Sequence, residues 1–338
     1  MSIIPVEVPT GAIRYNTDSN KIECYNGTKW MQIAVSSPDL NGGTRGIVVS
    51  GTYEATSGNG HKIRYVTIPT AGDAADFGDL HNYVSYLGGA SSRTRGLMAG
   101  GAVPGTNYNN DIRYLTIAST GNTIDFGDLT VGIWGLSGVS NQTRALFGGG
   151  KVSPGAVSDV IQYNTIATLG NSVDFGNLTL ARNNTGALGN ATRGLWCGGY
   201  TPTEQNIIDY VTIASTGNAQ DFGDCSAAAK GQANHNTGSS TRGLLWSSAF
   251  SPYVTIESLQ YATKGNSVDF GDSSQAIGYR SCTSDCVRAI GFGGQSGPGD
   301  RNCIEYVQIA TSGNAVDFGD TAEIHERPAT FSNAHGGL

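Results

Sequence analysis

Charge is scarce in this sequence: Asp, Glu, Lys and Arg make up 14% of 338 residues, against roughly 25% in typical globular chains. No segment shows a convincing apolar period of 3.6 residues, and the Lys, Glu and Arg that fill exposed helix faces are few, so helices are not expected to build the fold. The net charge is −7 with no Lys/Arg cluster, which removes the electrostatic footprint of a nucleic-acid binder. No apolar run approaches the about 18–20 residues of a membrane helix, so no membrane insertion is expected. The opening Met1-Ser-Ile-Ile-Pro-Val-Glu7 has neither a basic segment nor an apolar one, so no signal peptide is expected. The Asn-x-Thr triplets, such as Asn190-Ala191-Thr192, need a secretory route to matter.

Clustered chemistry is also missing. The six cysteines (Cys24, Cys197, Cys225, Cys282, Cys286, Cys303) are scattered and predict reduced, mostly buried thiols instead of a disulfide framework. Cys282-x3-Cys286 with Cys303 is the most metal-like group, but it lacks the usual two-residue spacing. His61, His81, His235, His325 and His335 form no pair at helical spacing. The Gly148-Gly-Gly150 run precedes no helix, which argues against a phosphate loop. The sequence thus predicts no metal and no cofactor.

What is abundant is glycine, 49 residues, about twice the usual share of roughly 7%, and it is periodic. Asp-Phe-Gly begins at Asp76, Asp125, Asp174, Asp221, Asp269 and Asp317, at intervals of 49, 49, 47, 48 and 48. Each copy opens near an arginine: Arg45, Arg95, Arg144, Arg193, Arg242 or Arg288. Elements common to the six copies are read as scaffold, and differences between copies as places where function can reside.

In the second copy, Thr94-Arg-Gly-Leu-Met-Ala-Gly100-Gly101 is a short apolar run ending in a glycine pair. Ile112-Arg-Tyr-Leu-Thr-Ile117 alternates with β-branched and aromatic residues, as a strand does. Ser119-Thr-Gly-Asn122 is a turn and Thr123-Ile-Asp-Phe126 the next strand. The Gly/Ala-rich pieces before each Thr-Arg, such as Leu87–Ser92 and Gly186–Ala191, supply one strand more. Four antiparallel strands in 40–50 residues are the signature of a propeller blade, so six copies predict an all-β, six-bladed β-propeller. Its blades would start near 44, 94, 143, 192, 241 and 287. Blade one lacks a first strand, and residues 325–338 read as a surplus strand that would complete it.

The glycine pairs Gly100-Gly101, Gly149-Gly150, Gly198-Gly199 and Gly293-Gly294 resemble those that close the second strand of a kelch blade. Blades one and five carry Ser50-Gly51 and Ser247-Ser248 instead. The kelch tryptophan is missing, and the Phe of Asp-Phe-Gly is expected to fill a comparable slot; the chain is kelch-like. By that analogy the loops between strands one and two, and three and four, share a monotonous face. The loops two-to-three and four-to-one share the other face and vary in length and sequence, as recognition loops on a rigid scaffold do. Tyr53, His61, Tyr83, Tyr108, Trp134, Tyr200 and Tyr253 stand there without six-fold counterparts and are the candidate ligand-binding residues.

Catalysis is not expected. Six Asp-Phe-Gly copies without the partner motifs are not the metal-binding triplet of a kinase. A sialidase-like tyrosine nucleophile is not indicated either. Tyr65, Tyr114, Tyr163, Tyr210 and Tyr306 recur at one slot as core residues do, with Ser258 and then Tyr261 in blade five.

Residues 1–36 read as a separate β-meander with an Asn26-Gly27 turn, followed by a linker over 37–43 and the propeller over 44–338. Ile13-Arg-Tyr-Asn-Thr17, Ile22-Glu-x-Tyr-Asn-Gly27 and Trp30 resemble a segment of bacteriophage tail-fibre and other virion appendage proteins. With the Thr-Ile-Ala-Ser-Thr-Gly-Asn…Asp-Phe-Gly-Asp repeats, the whole chain resembles a kelch-like phage virion protein, especially of marine or cyanobacterial phages. That resemblance implies a non-enzymatic structural protein of the virion, assembled in the host cytoplasm. Its arm, with Tyr15, Tyr25 and Trp30, would attach to other virion proteins, often as a homo-oligomer, and its variable face would meet a host-surface glycan or protein. The alternative is a purely architectural collar, baseplate or capsid-decoration part; a glycan-cleaving enzyme is a third reading.

Overall fold

A computed structural model describes residues 8–17, 21–32, 44–49, 61–105, 108–229, 233–234, 237–246, 254–296, 299–323 and 328–338. The fold is all-β, with no helix among the described residues. Two compact units divide the chain, Met1–Leu40 and Asn41–Leu338.

The first unit contains a three-stranded antiparallel meander, Ile13–Asn16, Lys21–Tyr25 and Trp30–Gln32. Asn26 closes its second turn by accepting the Thr28 and Lys29 N–H groups at 3.0 and 2.9 Å. The pairings Ile13–Cys24, Tyr15–Ile22 and Cys24–Met31 put these residues on one face. Arg14, Glu23, Tyr25 and Trp30 lie on the other, where the Arg14 guanidinium sits 4.2 Å from the Trp30 ring centre.

The second unit is built from the 48-residue repeats. In repeat two, Gly88–Ser91, Arg95–Ala99, Asp111–Thr116 and Ile124–Asp128 form one antiparallel sheet in chain order. The order recurs in repeats three and four. Repeat six has it as Ser281–Ser284, Arg288–Ser296, Gly299–Gln308 and Val316–Asp320. Repeat five keeps strands two to four, Arg242–Trp246, Thr255–Gln260 and Val268–Asp272; before them, among the described residues, Gly238 bridges to Gly243 and Ala233–Asn234 pairs parallel with Ser281–Cys282 of repeat six. Repeat one has Arg45–Val49, Lys62–Thr67 and Ala75–Asp79, and takes its first strand, Ala329–Ser332, from the far end of the chain.

Both faces of each sheet are covered, which is why the second strands are buried after their first residue instead of alternating. Apolar cores lie between consecutive sheets: Leu97, Ile112 and Phe126 of repeat two pack with Ala145, Phe147 and Ile166 of repeat three. Val48, Val66 and Ile68 of repeat one pack likewise with Ile290, Phe292 and Phe318 of repeat six.

The constant residues are the links between repeats. Each opening arginine donates to a backbone carbonyl of the next repeat: Arg45 to Ile117, Arg95 to Ile166, Arg144 to Ile213, Arg193 to Tyr261, Arg242 to Ile309, and Arg288 to Ile68 of repeat one. Five of these guanidinium groups lie over the repeat's own tyrosine, and Arg242, where Ser258 replaces it, lies over Phe270. The Asp-Phe-Gly phenylalanines meet the same tyrosines edge-on at 5.8–6.0 Å between ring centres. The carbonyl of each of these phenylalanines accepts the N–H of a turn glycine in the next repeat, from Phe77–Gly121 round to Phe318–Gly72.

The glycine after each phenylalanine makes that approach possible. A Cβ on Gly127 (φ +146°) would stand 2.5 Å from the Gly170 carbonyl oxygen of the next repeat. Gly127→Ala should therefore cost about 2 kcal/mol or more. Gly170→Ala, whose Cβ has nothing within 4 Å at φ +154°, carries only the backbone strain and should cost less. Denaturant midpoints of the two variants compare them directly; equal losses would make backbone conformation, not the close approach, the constraint.

The C-terminal tail after Ser332 is buried across the ends of the first strands. Asn333 caps the Arg45 N–H at 2.9 Å, Cys286 donates to the Ala334 carbonyl, and a Cβ on Gly337 would strike the Ser140 carbonyl. His335 is fully buried. Its Nδ1 accepts the Gly337 N–H at 3.1 Å, which puts the ring proton on Nε2, 3.3 Å from the Ser91 carbonyl and 3.4 Å from Ser140 Oγ. Burial pulls its pKa down from 6.5 to about 4. The unfolded chain binds the proton first, so this stability is complete above the ordinary 6.5 and is lost as pH falls toward 4. Each unit of mismatch is worth roughly 1.4 kcal/mol. Thermal melts of the wild type between pH 7 and 4 should fall more steeply than those of His335→Asn; parallel curves would refute this linkage.

Candidate recognition site

The variable loops are held by extra strand pairing. Ile133–Trp134, from the loop between repeats two and three, pairs with Lys151–Val152, which pairs with Ala156–Val157. This small sheet places Trp134 directly opposite Lys151, whose ammonium lies 5.6 Å from the Trp134 ring centre. In repeat four, Tyr200–Thr201 folds back on Thr203–Glu204 around Pro202, and Tyr200 bridges to Asn183 in both directions, at 2.8 and 3.1 Å.

Between these loops is a pocket of about 630 Å³. Tyr86, Trp134, Lys151, Asn183, Asn184, Tyr200 and Tyr279 line it, drawn from the junctions of four pairs of repeats. Its rim follows one slot, two residues before each first strand, where the backbone is left-handed: Tyr86 (φ +59°), Gly135 (φ +67°), Asn184 (φ +51°) and Tyr279 (φ +53°). The Gly135 N–H donates to the Tyr86 carbonyl and the Asn184 N–H to the Gly135 carbonyl, so the slot is tied from repeat to repeat. Glycine and asparagine take this conformation cheaply, whereas for tyrosine it costs of the order of 1 kcal/mol and is held by its surroundings. Tyr86 stacks on Trp134 at 4.9 Å, tilted by 58°.

The lining is aromatic and amide-rich. Asn183 is 4% exposed, and its Oδ1 accepts no hydrogen bond from the described residues. Lys151 is half-buried, the lining has no other charged residue, and Lys151 forms no ion pair among the described residues. Such a surface offers flat rings to the C–H faces of a ligand and amides to its hydroxyls.

Behind the pocket is a buried ion pair. Arg182 and Asp209 are both fully buried and 2.8 Å apart. Arg182 also donates to the Gly198, Leu180 and Trp196 carbonyls, and Asp209 accepts from Thr179. The Arg182 backbone bonds to Gly150 and Ser158, so the pair sets the seat of Asn183 and Asn184 against the Lys151 loop. Arg280 and Glu305 repeat the device beside Tyr279.

Of the candidate residues, Trp134 and Tyr200 share this pocket. His61 and Tyr83 contact each other edge-on at 5.1 Å, and Tyr108 lies against Gly132; none of these three lines the pocket. Tyr53 and Tyr253 lie outside the described residues. In the arm, Tyr15 is exposed beside Ile13, while Tyr25 packs on Trp30 at 5.4 Å on the opposite face. Tyr86 and Tyr279 escaped the sequence reading, although their repeats align them with Gly135 and Asn184, where a tyrosine is out of place.

All six cysteines are free. Burial raises the pKa of Cys197, Cys225 and Cys282, and lifts Cys286 to about 11, so these thiols stay protonated. No group of three or more His, Cys, Asp or Glu with metal-holding geometry occurs among the described residues.

A scan of protein-family models and a search of curated proteins find no match to this chain.

Arg182→Met or Asp209→Leu alone should destabilise by about 3–5 kcal/mol, because each strands a buried charge, and the double variant should recover much of that loss. Chemical denaturation of the three variants gives the coupling energy; additive losses would show that the two residues act independently.

Proposed function

We propose that residues 44–338 form a closed, six-bladed, kelch-like β-propeller that serves as a non-enzymatic appendage of a bacteriophage virion, displaying its variable loops for recognition of a host-surface glycan or protein. The closed propeller is supported by links that run from each repeat to the next and from the sixth to the first, through Arg288 to Ile68 and Phe318 to Gly72, and by the C-terminal strand in repeat one.

The observation that carries recognition is the Tyr86–Trp134–Lys151–Tyr200 pocket. It opens among the loops that differ most between repeats, at the entering ends of the first strands. The C-terminal tail covers the leaving ends. The virion assignment rests on the resemblance of the arm and repeats to phage appendage proteins. It is supported by the apolar face of the arm, where Ile13 is 68% and Tyr15 58% exposed, a face suited to docking on other virion chains or on copies of itself.

Fluorescently labelled full-length chain should bind host cells saturably, and Trp134→Ala should reduce that binding about tenfold or more, the scale of a central aromatic anchor. Absence of binding, together with cross-links from the Trp134 loops to other virion proteins, would replace this reading with an architectural one, in a collar, baseplate or capsid decoration.

A further inference from the structure

We infer that the pocket takes an acidic saccharide, a sugar residue bearing a carboxylate or sulfate, with Lys151 as the anion's counter-charge and Tyr86 and Trp134 as the platform for the ring. This rests on the recognition reading above and narrows it to a ligand class.

The charge distribution makes the case. The chain carries −7 overall, yet among the described residues no carboxylate lines this pocket and one ammonium does. Four other cations are matched by carboxylates, Lys62 by Asp79, Arg64 by Asp76 and Glu323, Arg182 by Asp209, and Arg280 by Glu305. Lys151 instead rests over Trp134, with its stem along the pocket wall. Strand pairing to Trp134 fixes its backbone, so little further ordering is needed when an anion arrives.

The neighbouring groups suit a sugar more than a bare anion. A small ion would need several converging donors. Here one cation stands at the edge of two rings whose centres are 4.9 Å apart, with Asn183, Asn184 and Thr201 also in the lining. About 630 Å³ falls within the usual range of small-ligand pockets and leaves room for more than the charged group. Lys151 sits at one side, so the acid substituent would be held there while the pyranose face lies on Trp134.

Matched pairs of probes test this on the full-length chain: 3′-sialyllactose against lactose, trigalacturonate against its methyl ester, and a sulfated heparin tetrasaccharide against its desulfated form. Calorimetry at low salt should show at least one acidic member bound about tenfold or more tightly than its neutral partner, the scale of one charge-assisted hydrogen bond. Lys151→Met should bring that acid down to the level of its neutral partner. Whether the carboxylated or the sulfated probe responds identifies the acid. Neutral and acidic members binding alike, with loss in Trp134→Ala but not in Lys151→Met, overturns the acidic ligand and leaves glycan recognition standing. No binding of any of the six probes overturns both the acidic ligand and the glycan reading of the pocket. Lys151→Met keeps the strand pairing to Trp134, so its melting temperature should match the wild type, which keeps any loss of binding attributable to the ammonium.

Discussion

One contact governs the second unit: the backbone of each Asp-Phe-Gly segment lying directly on the turn of the next repeat. The phenylalanine carbonyl accepts the turn glycine's N–H, and the following glycine leaves no room for a side chain between the two backbones. The spacing between adjacent sheets at their outer edge is therefore set by main chain on main chain. The opening arginine repeats the link further along the same turn, with its guanidinium held over an aromatic ring in every repeat. Side chains between the sheets then fill a gap whose width is already given, which is how Phe147 and Trp196 can occupy the same strand position in successive repeats.

Because the link is made once per repeat, any repeat can depart from the pattern elsewhere without loosening its neighbours. Repeat five shows this. It has Ser258 in place of the tyrosine, yet Arg242 still reaches Ile309, over Phe270. The loops at the opposite ends of the strands are released from the pattern in the same way and can carry the pocket lined by Tyr86, Trp134 and Tyr200.

Much of this was legible in the sequence. The period set the repeat, Ile-x-Tyr and Asp-Phe-Gly marked the third and fourth strands, and the surplus C-terminal segment predicted the strand that pairs with Arg45–Val49. The site was legible in part. Trp134 and Tyr200 stood out because nothing in the other repeats matched them, but the same criterion selected His61, Tyr83 and Tyr108, which contact other groups. Uniqueness reports freedom from the scaffold; convergence on one cavity depends on how far each loop leans toward the strand ends, which a linear pattern does not encode. The buried Arg182–Asp209 pair was hidden for a related reason. Its members are 27 residues apart, in a loop and in the variable position of Ile-x-Tyr, and neither looks exceptional until the sheets are stacked.

The left-handed slot before the first strands joins these two kinds of information. Backbone geometry there is common to repeats, and Gly135 and Asn184 satisfy it in the ordinary way. Tyr86 and Tyr279 adopt the same φ against the preference of their side chains. The scaffold supplies the compensation: the Tyr86 carbonyl is bonded to Gly135, and its ring is stacked on Trp134. A ring projected from a left-handed residue leaves the chain in a direction that a strand residue at the same point would not take, here into the cavity at the strand ends. At Tyr86, which is not among the buried core residues, the unfavourable backbone is best explained by what the ring reaches, and what it reaches is the pocket shared with Trp134, Lys151 and Tyr200.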